Sequence, residues 1–265
     1  MEVKASQVKE LRDMTGVAMM ECKKALVECE GDIEKALDLL RSNSALKAEK
    51  KASRVAADGI LRTSQGDNFA TLIEINSETD FAAKDSNFIE FTDEVHSYIS
   101  SKKVDDIAEF LDSDIEKKRQ ALIQTIGENI QLRRLETVSI DSGMNAGVYL
   151  HSDSKLAAVV VISGGDESLA KDIAMHVAAF NPLCLSQDDI DPQVLEREKA
   201  IYVVQAEESG KPQEIMEKMI EGKLNRFLSE VSLLSQGFVK DSDTTIQKLL
   251  EANNAKIESF SRLKV

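Results

Sequence analysis

"ATLIEINSETDFAAKD" (residues 70–85) reads as one folding step: an apolar, β-branched run through Ile75, a polar turn, then the start of a helix. The step recurs downstream. Set over "AAVVVISGGDESLAKD" (residues 157–172) it aligns without a gap, and Ala70, Ile75, Ala83, Lys84 and Asp85 return as Ala157, Ile162, Ala170, Lys171 and Asp172. Two related units are expected, each with antiparallel strands carrying helices against one face, which is an α+β architecture. The repeat is most informative where it fails. Asp80 and Phe81 stand opposite Glu167 and Ser168, so the shared scaffold does not require an aromatic side chain at that turn.

The flanks extend both units. Upstream, "ILRTSQGDNFATLIEI" places two strand-like runs around a Gly-Asp turn. "DSNFIEFTDEVHSYIS" follows as a helix, and the longer "DIEKKRQALIQTIGENIQLRRLETV" is taken as helical too, with "QLRRLE" as a basic helix rim. "GVYLHSDSKLAAVVVISGG" is a second strand pair, and "SLAKDIAMHVAAF" a helix with Leu169, Ile173 and Val177 on one side.

Residues 1–45 predict three short helices. Ser6 is the expected cap of the first, Thr15–Gly16 breaks it, and "EGD" separates the second from "IEKALDLL", whose Ile33, Ala36, Leu37 and Leu40 share one face. Met19 and Met20 are adjacent on a helix and cannot both point at its core. One exposed methionine is therefore expected, either incidental or a contact. "NSALKAEKKASRVAADG" then reads as a polar link.

Beyond the second unit, residues 187–231 form two amphipathic segments joined at Gly210–Pro212, hence a helical hairpin. Leu195, Tyr202 and Ala206 line one stripe, and Met216, Met219, Ile220, Phe227 and Val231 the other. "GFV", the helix "TTIQKLLEANN" and the strand "IESFSRLKV" complete the chain.

With 33 basic and 47 acidic residues the net charge is −14, which opposes a nucleic-acid backbone as the main partner and suits a basic patch on another protein. No apolar run is long enough to cross a bilayer, the first residues lack a signal-peptide core, and three unpaired cysteines (Cys22, Cys29, Cys184) fit the reducing cytoplasm.

Matched catalytic groups are missing from the pattern. His96 and His176 sit in helices, where a satisfied, partly buried ring is the default. His151 lies in the polar connection between two strands and is expected at the surface. No histidine neighbours a nucleophile signature, no phosphate loop is present, and "ISGGDES" lacks the lysine that one needs. No cofactor or metal site is expected. Thr79 or Asp80 can cap the helix that follows and so fix Phe81 at a rigid junction. Pointing outward, Phe81 enters an apolar gap on a partner; pointing inward, it is a core staple.

The whole chain resembles bacterial-type translation elongation factor Ts. The resemblance is carried by "TGVAMMECKKAL", "GDIEKALDLLR", "VAADG", "INSETDFAAKD", "IGENIQLRR", "HVAAFNPL" and "SGKPQEIMEKMIEGKLNRF", in that order. It implies a ubiquitin-associated (UBA)-like three-helix domain and linker over residues 1–54 and a core N-subdomain over 55–140. A core C-subdomain over 141–186 and 232–265 is interrupted by a dimerisation hairpin at 187–231. It further implies guanine-nucleotide exchange on elongation factor Tu, without covalent chemistry. By resemblance Thr79, Asp80 and Phe81 fill the first three positions of the segment that pushes on the GTPase near its magnesium. Ala82 replaces valine at the fourth, removing apolar contact area while leaving the Asp-Phe pair. Leu11, Met19 and Met20 fall at the N-terminal contact, and His151 at the strand-connection contact. The family's further C-terminal helical module is expected to be absent, since the sequence stops near its last core strand at Val265. The alternative expectation is a noncatalytic adaptor.

Overall fold

The computed structural model describes residues 3–265, which group into two compact units. The first runs to Val138 and takes in Leu150–Leu156 and Leu263–Val265. The second holds Ser139–Tyr149 and Ala157–Arg262.

The first unit opens with helices α1 (Ala5–Thr15), α2 (Met19–Glu28) and α3 (Ile33–Lys51). Ser6 is not the cap of α1. Lys4 holds that position, its N–H donating to Gln7 Oε1, while Gly16 ends the helix in the left-handed conformation that glycine adopts freely. Val8, Leu11, Cys22, Ala25, Leu26, Ala36 and Leu40 close a small core.

Helix α3 runs past this core, so most of the expected polar link is helical. Its Ala-, Lys- and Glu-rich sequence has high helix propensity, and Ala48 is buried in the core of the next layer. There α3 packs on α7 (Asp114–Ile126).

The next strands are β1 (Asp58–Gln65) and β2 (Phe69–Ser77), paired antiparallel with Ile60 opposite Ile75. They are followed by the single turn α4 (Asp80–Ala83), then α5 (Ser86–Lys102) and α6 (Ile107–Leu111), and after α7 by β3 (Gln131–Ser139). The strand order is β1-β2-β3. Every residue from Ala70 to Ser77 is buried, so the central strand is covered on both faces.

"QLRRLE" is therefore an edge strand and not a helix rim. Gly127 stops α7 in the left-handed region, and Arg134 on β3 pairs with Glu74, itself buried on β2. A buried carboxylate requires such a partner, and that long-range need overrides the helical preference of Leu and Arg.

The second unit contains β4 (Met144–Leu150), β5 (Leu156–Ser163) and α8 (Glu167–Phe180). Then come the hairpin helices α9 (Pro192–Glu208) and α10 (Gln213–Val231), the short pair β6 (Gly237–Phe238) and β7 (Asp241–Thr245), α11 (Ile246–Ala252) and β8 (Lys256–Lys264). β5 is central in the order β4-β5-β8, and Ala157–Ile162 are all buried.

His176 on α8 is fully buried and satisfied at both nitrogens. Nδ1 accepts the Val239 N–H at 3.2 Å, which leaves the proton on Nε2 to donate to Gln236 Oε1 at 2.9 Å. The ring stacks on Phe180 at 4.6 Å. Burial holds its pKa below the ordinary 6.5, with the Gln236 bond opposing.

The unfolded chain thus takes up this proton first as pH falls, so the His176 contribution is complete above about pH 6.5 and is lost on acidification below it. Urea unfolding should show a lower midpoint at pH 5.5 than at pH 7.5, with the difference reduced in His176→Gln. Equal pH dependence in both chains would remove His176 as the cause.

Candidate functional site

The junction after β2 is built around Thr79. Its backbone is extended and its Oγ1 accepts the Ala82 N–H at 3.3 Å, so Thr79 is the N-cap of α4. Asp80 occupies the first turn, where the helix dipole favours a negative charge. It also forms an exposed pair with Lys84 at 2.8 Å, and that bond raises the Lys84 pKa.

Phe81 is 82% exposed. Of the two orientations open in the sequence, the outward one is adopted. Ala82, beside it, is buried and turned into the unit. The side chain at residue 82 therefore packs beneath the turn, whereas Phe81 keeps its exposed surface.

Sequence reasoning missed the groups that hold this turn. Glu128 Oε2 accepts the Thr79 N–H at 3.0 Å, and Glu128 Oε1 accepts from Thr79 Oγ1 at 2.7 Å. Glu78 Oε1 accepts the Asn129 N–H at 2.7 Å, and the buried Asn129 side chain donates to Arg54 O at 2.9 Å. A carboxylate-threonine pair across 49 residues has no local signature; the nearest signal was the motif "IGENIQLRR" that contains Glu128.

The connection bearing His151 belongs to the same unit. Ser154 O accepts from Leu61 N on β1 at 2.7 Å, and Lys155 Nζ reaches Asp58 and Gly59 O. His151 is partly exposed, with Nδ1 2.8 Å from Asp153 Oδ1, and this bond holds the Asp153 carboxyl below its ordinary pKa. Between that loop and α4 lies a cavity of about 570 Å³, lined by Ile60, Ala83, Lys84, Ile89, Asp153 and Ser154 among others.

The N-terminal candidates divide. Met19 is 50% and Met20 63% exposed, so both methionines are at the surface where one was expected. The reason is position: Met19 is the first residue of α2, and the buried face begins only at Cys22. Leu11 has no exposed surface and lies in the three-helix core.

In the two hairpin helices only Ala206 is buried. A cavity of about 490 Å³ runs between the two helices past Leu195, Val203, Ile220, Leu224 and Leu228. Among the described residues no group of three or more His, Cys, Asp or Glu side chains is arranged to hold a metal. Among the described residues no helix is long and apolar enough to cross a membrane.

The chain matches the family model described as "Elongation factor TS" over residues 78–265. Among its relatives, the elongation factor Ts of Hahella chejuensis is 49% identical over 265 residues, covering 99% of this chain and 92% of that protein. That of Alcanivorax borkumensis is 48% identical over 266 residues, covering 97% and 92%. That of Teredinibacter turnerae is 46% identical over 268 residues, covering 100% and 91%. Matched through most of its length by the family model and throughout by these relatives, the chain belongs to the elongation factor Ts family.

Proposed function

We propose that the chain is a guanine-nucleotide exchange factor, accelerating GDP release from elongation factor Tu in the cytoplasm with no covalent chemistry of its own. Family membership supports the reaction, and one observation carries the site: an aromatic ring, Phe81, held 82% exposed on a capped turn. A phenylalanine exposed to this extent forfeits most of its burial free energy in the free protein and recovers it only in a partner.

The mechanism is differential binding. In the GTPase, magnesium offsets the charge of the nucleotide phosphates. Phe81 as a wedge and Asp80 as a charge favour the conformation in which those contacts are lost. A coupling of about 4 kcal/mol corresponds to a roughly thousandfold change in nucleotide affinity. Met19 and Met20 offer an adaptable apolar contact for holding the same partner, with Leu11 in the core of the three helices that carry them. His151 adds a polar contact from the loop pinned to β1.

The same reading takes the three N-terminal helices as a UBA-like domain and the core as a duplication. In favour of the latter, β2 and β5 each lead through a polar turn into a helix. Labelled-GDP release from elongation factor Tu tests the proposal. Acceleration supports it, whereas binding without acceleration would make the chain an adaptor. Self-association through the hairpin groove belongs to the proposal too; sedimentation velocity of the free chain measures it, and a monomer at every concentration removes it.

A further inference from the structure

We propose that Glu128 is a positioning residue for nucleotide exchange, acting through Thr79 to fix the direction of Phe81. The inference rests on Phe81 as the wedge. Helix α4 has four residues, too few to be stable by its own hydrogen bonds, since one helical turn is still the unfavourable nucleus. Phe81 itself contributes little, because a ring exposed to this extent has few neighbours to orient it. Its direction is therefore inherited from the backbone of the turn.

Ser77 Oγ donates to Thr79 O at 3.0 Å, and the rest of the hold on that backbone comes from one carboxylate. Thr79 Oγ1 has a single proton, and Glu128 Oε1 accepts it at 2.7 Å. The hydroxyl is thereby locked with its lone pairs toward Ala82 N, which is the orientation an N-cap requires. The second carboxylate oxygen takes the Thr79 N–H at 3.0 Å, so one group fixes both the hydroxyl rotor and the peptide before α4. Charge-assisted bonds of this kind are stronger than neutral ones.

Glu128 is itself placed firmly. Gly127 ends α7 at φ 88°, and the Asn129 N–H donates to Glu78 at 2.7 Å. Residues 127–129 thus clamp residues 78–79, two residues before the wedge.

The test is labelled-GDP release from elongation factor Tu, titrated with factor, using Glu128→Ala, Glu128→Gln and Phe81→Ala singly and Glu128→Ala with Phe81→Ala. Glu128→Ala should lower the maximal release rate about tenfold while the half-saturating concentration changes less than about twofold. Glu128→Gln should recover part of the rate, because its amide oxygen accepts one Thr79 donor. In the Phe81→Ala background Glu128→Ala should cost nothing further, since it acts through the ring that is gone.

A second readout is independent of exchange. The chain contains no tryptophan, so Phe81→Trp supplies a single tryptophan, excited selectively over the tyrosines, whose anisotropy should fall when Glu128→Ala is added. An unchanged maximal rate in folded Glu128→Ala, or full additivity with Phe81→Ala, overturns the proposal. If Phe81→Ala alone leaves exchange intact, the wedge reading fails and the role of Glu128 in exchange fails with it. The anisotropy still reports separately whether Glu128 orients the turn, and an unchanged value rejects that as well.

Discussion

Phe81→Ala is expected to leave the fold intact and to lower the maximal acceleration of GDP release from elongation factor Tu by about thirtyfold or more. The size follows from what truncating a central aromatic anchor costs at an interface, about 2–4 kcal/mol, expressed here in the state where nucleotide contacts are broken. The intact fold follows from exposure. A side chain 82% open to solvent loses almost no burial when removed, so the unfolding free energy should stay within about 0.5 kcal/mol of wild type.

The informative contrast is with Met19→Ala/Met20→Ala. Those side chains are proposed to hold the partner in all its states, so the double variant should raise the half-saturating concentration and spare the maximal rate. Release kinetics unchanged in Phe81→Ala would remove the wedge. An equal loss of maximal rate in the methionine variant would remove the division of labour.

Asp80 and Phe81 could be singled out from the sequence because the residues aligned with them in the proposed repeat, Glu167 and Ser168, differ. The outward direction of Phe81 could not be read there. It depends on the Thr79 cap, and the cap depends on Glu128, so the decisive contact lies 49 residues away. The same non-locality explains the misread strand. Gln131–Ser139 carries good helix formers, yet it pairs beside β2, where Arg134 meets the buried Glu74. Elements that bury their own periodic face, such as α2, α5 and α8, were legible because the face is in the local pattern. Helix α3 was legible only as far as its apolar stripe; its polar half is held by packing on α7, which no local pattern states.

Gly147→Ala should be among the most damaging single methyls in the second unit. Gly147 sits within β4, and a Cβ there would lie 2.1 Å from both the carbonyl carbon of Ala170 and the N of Lys171 on α8. Overpacking usually costs 1–3 kcal/mol because side chains shift. Here the obstacle is helix backbone, which cannot rotate away, so β4 and α8 must separate and a cost of about 3 kcal/mol or more is expected. Gly143→Ala separates this crowding from strain. Gly143 has φ 85° with nothing within 4 Å of the added methyl, so it should lose only the left-handed penalty of about 1–2 kcal/mol. Urea unfolding of the two variants beside wild type reads the difference. Equal midpoints in Gly147→Ala and Gly143→Ala would mean that α8 yields to the methyl, and that glycine at residue 147 is no condition for the close approach of strand and helix.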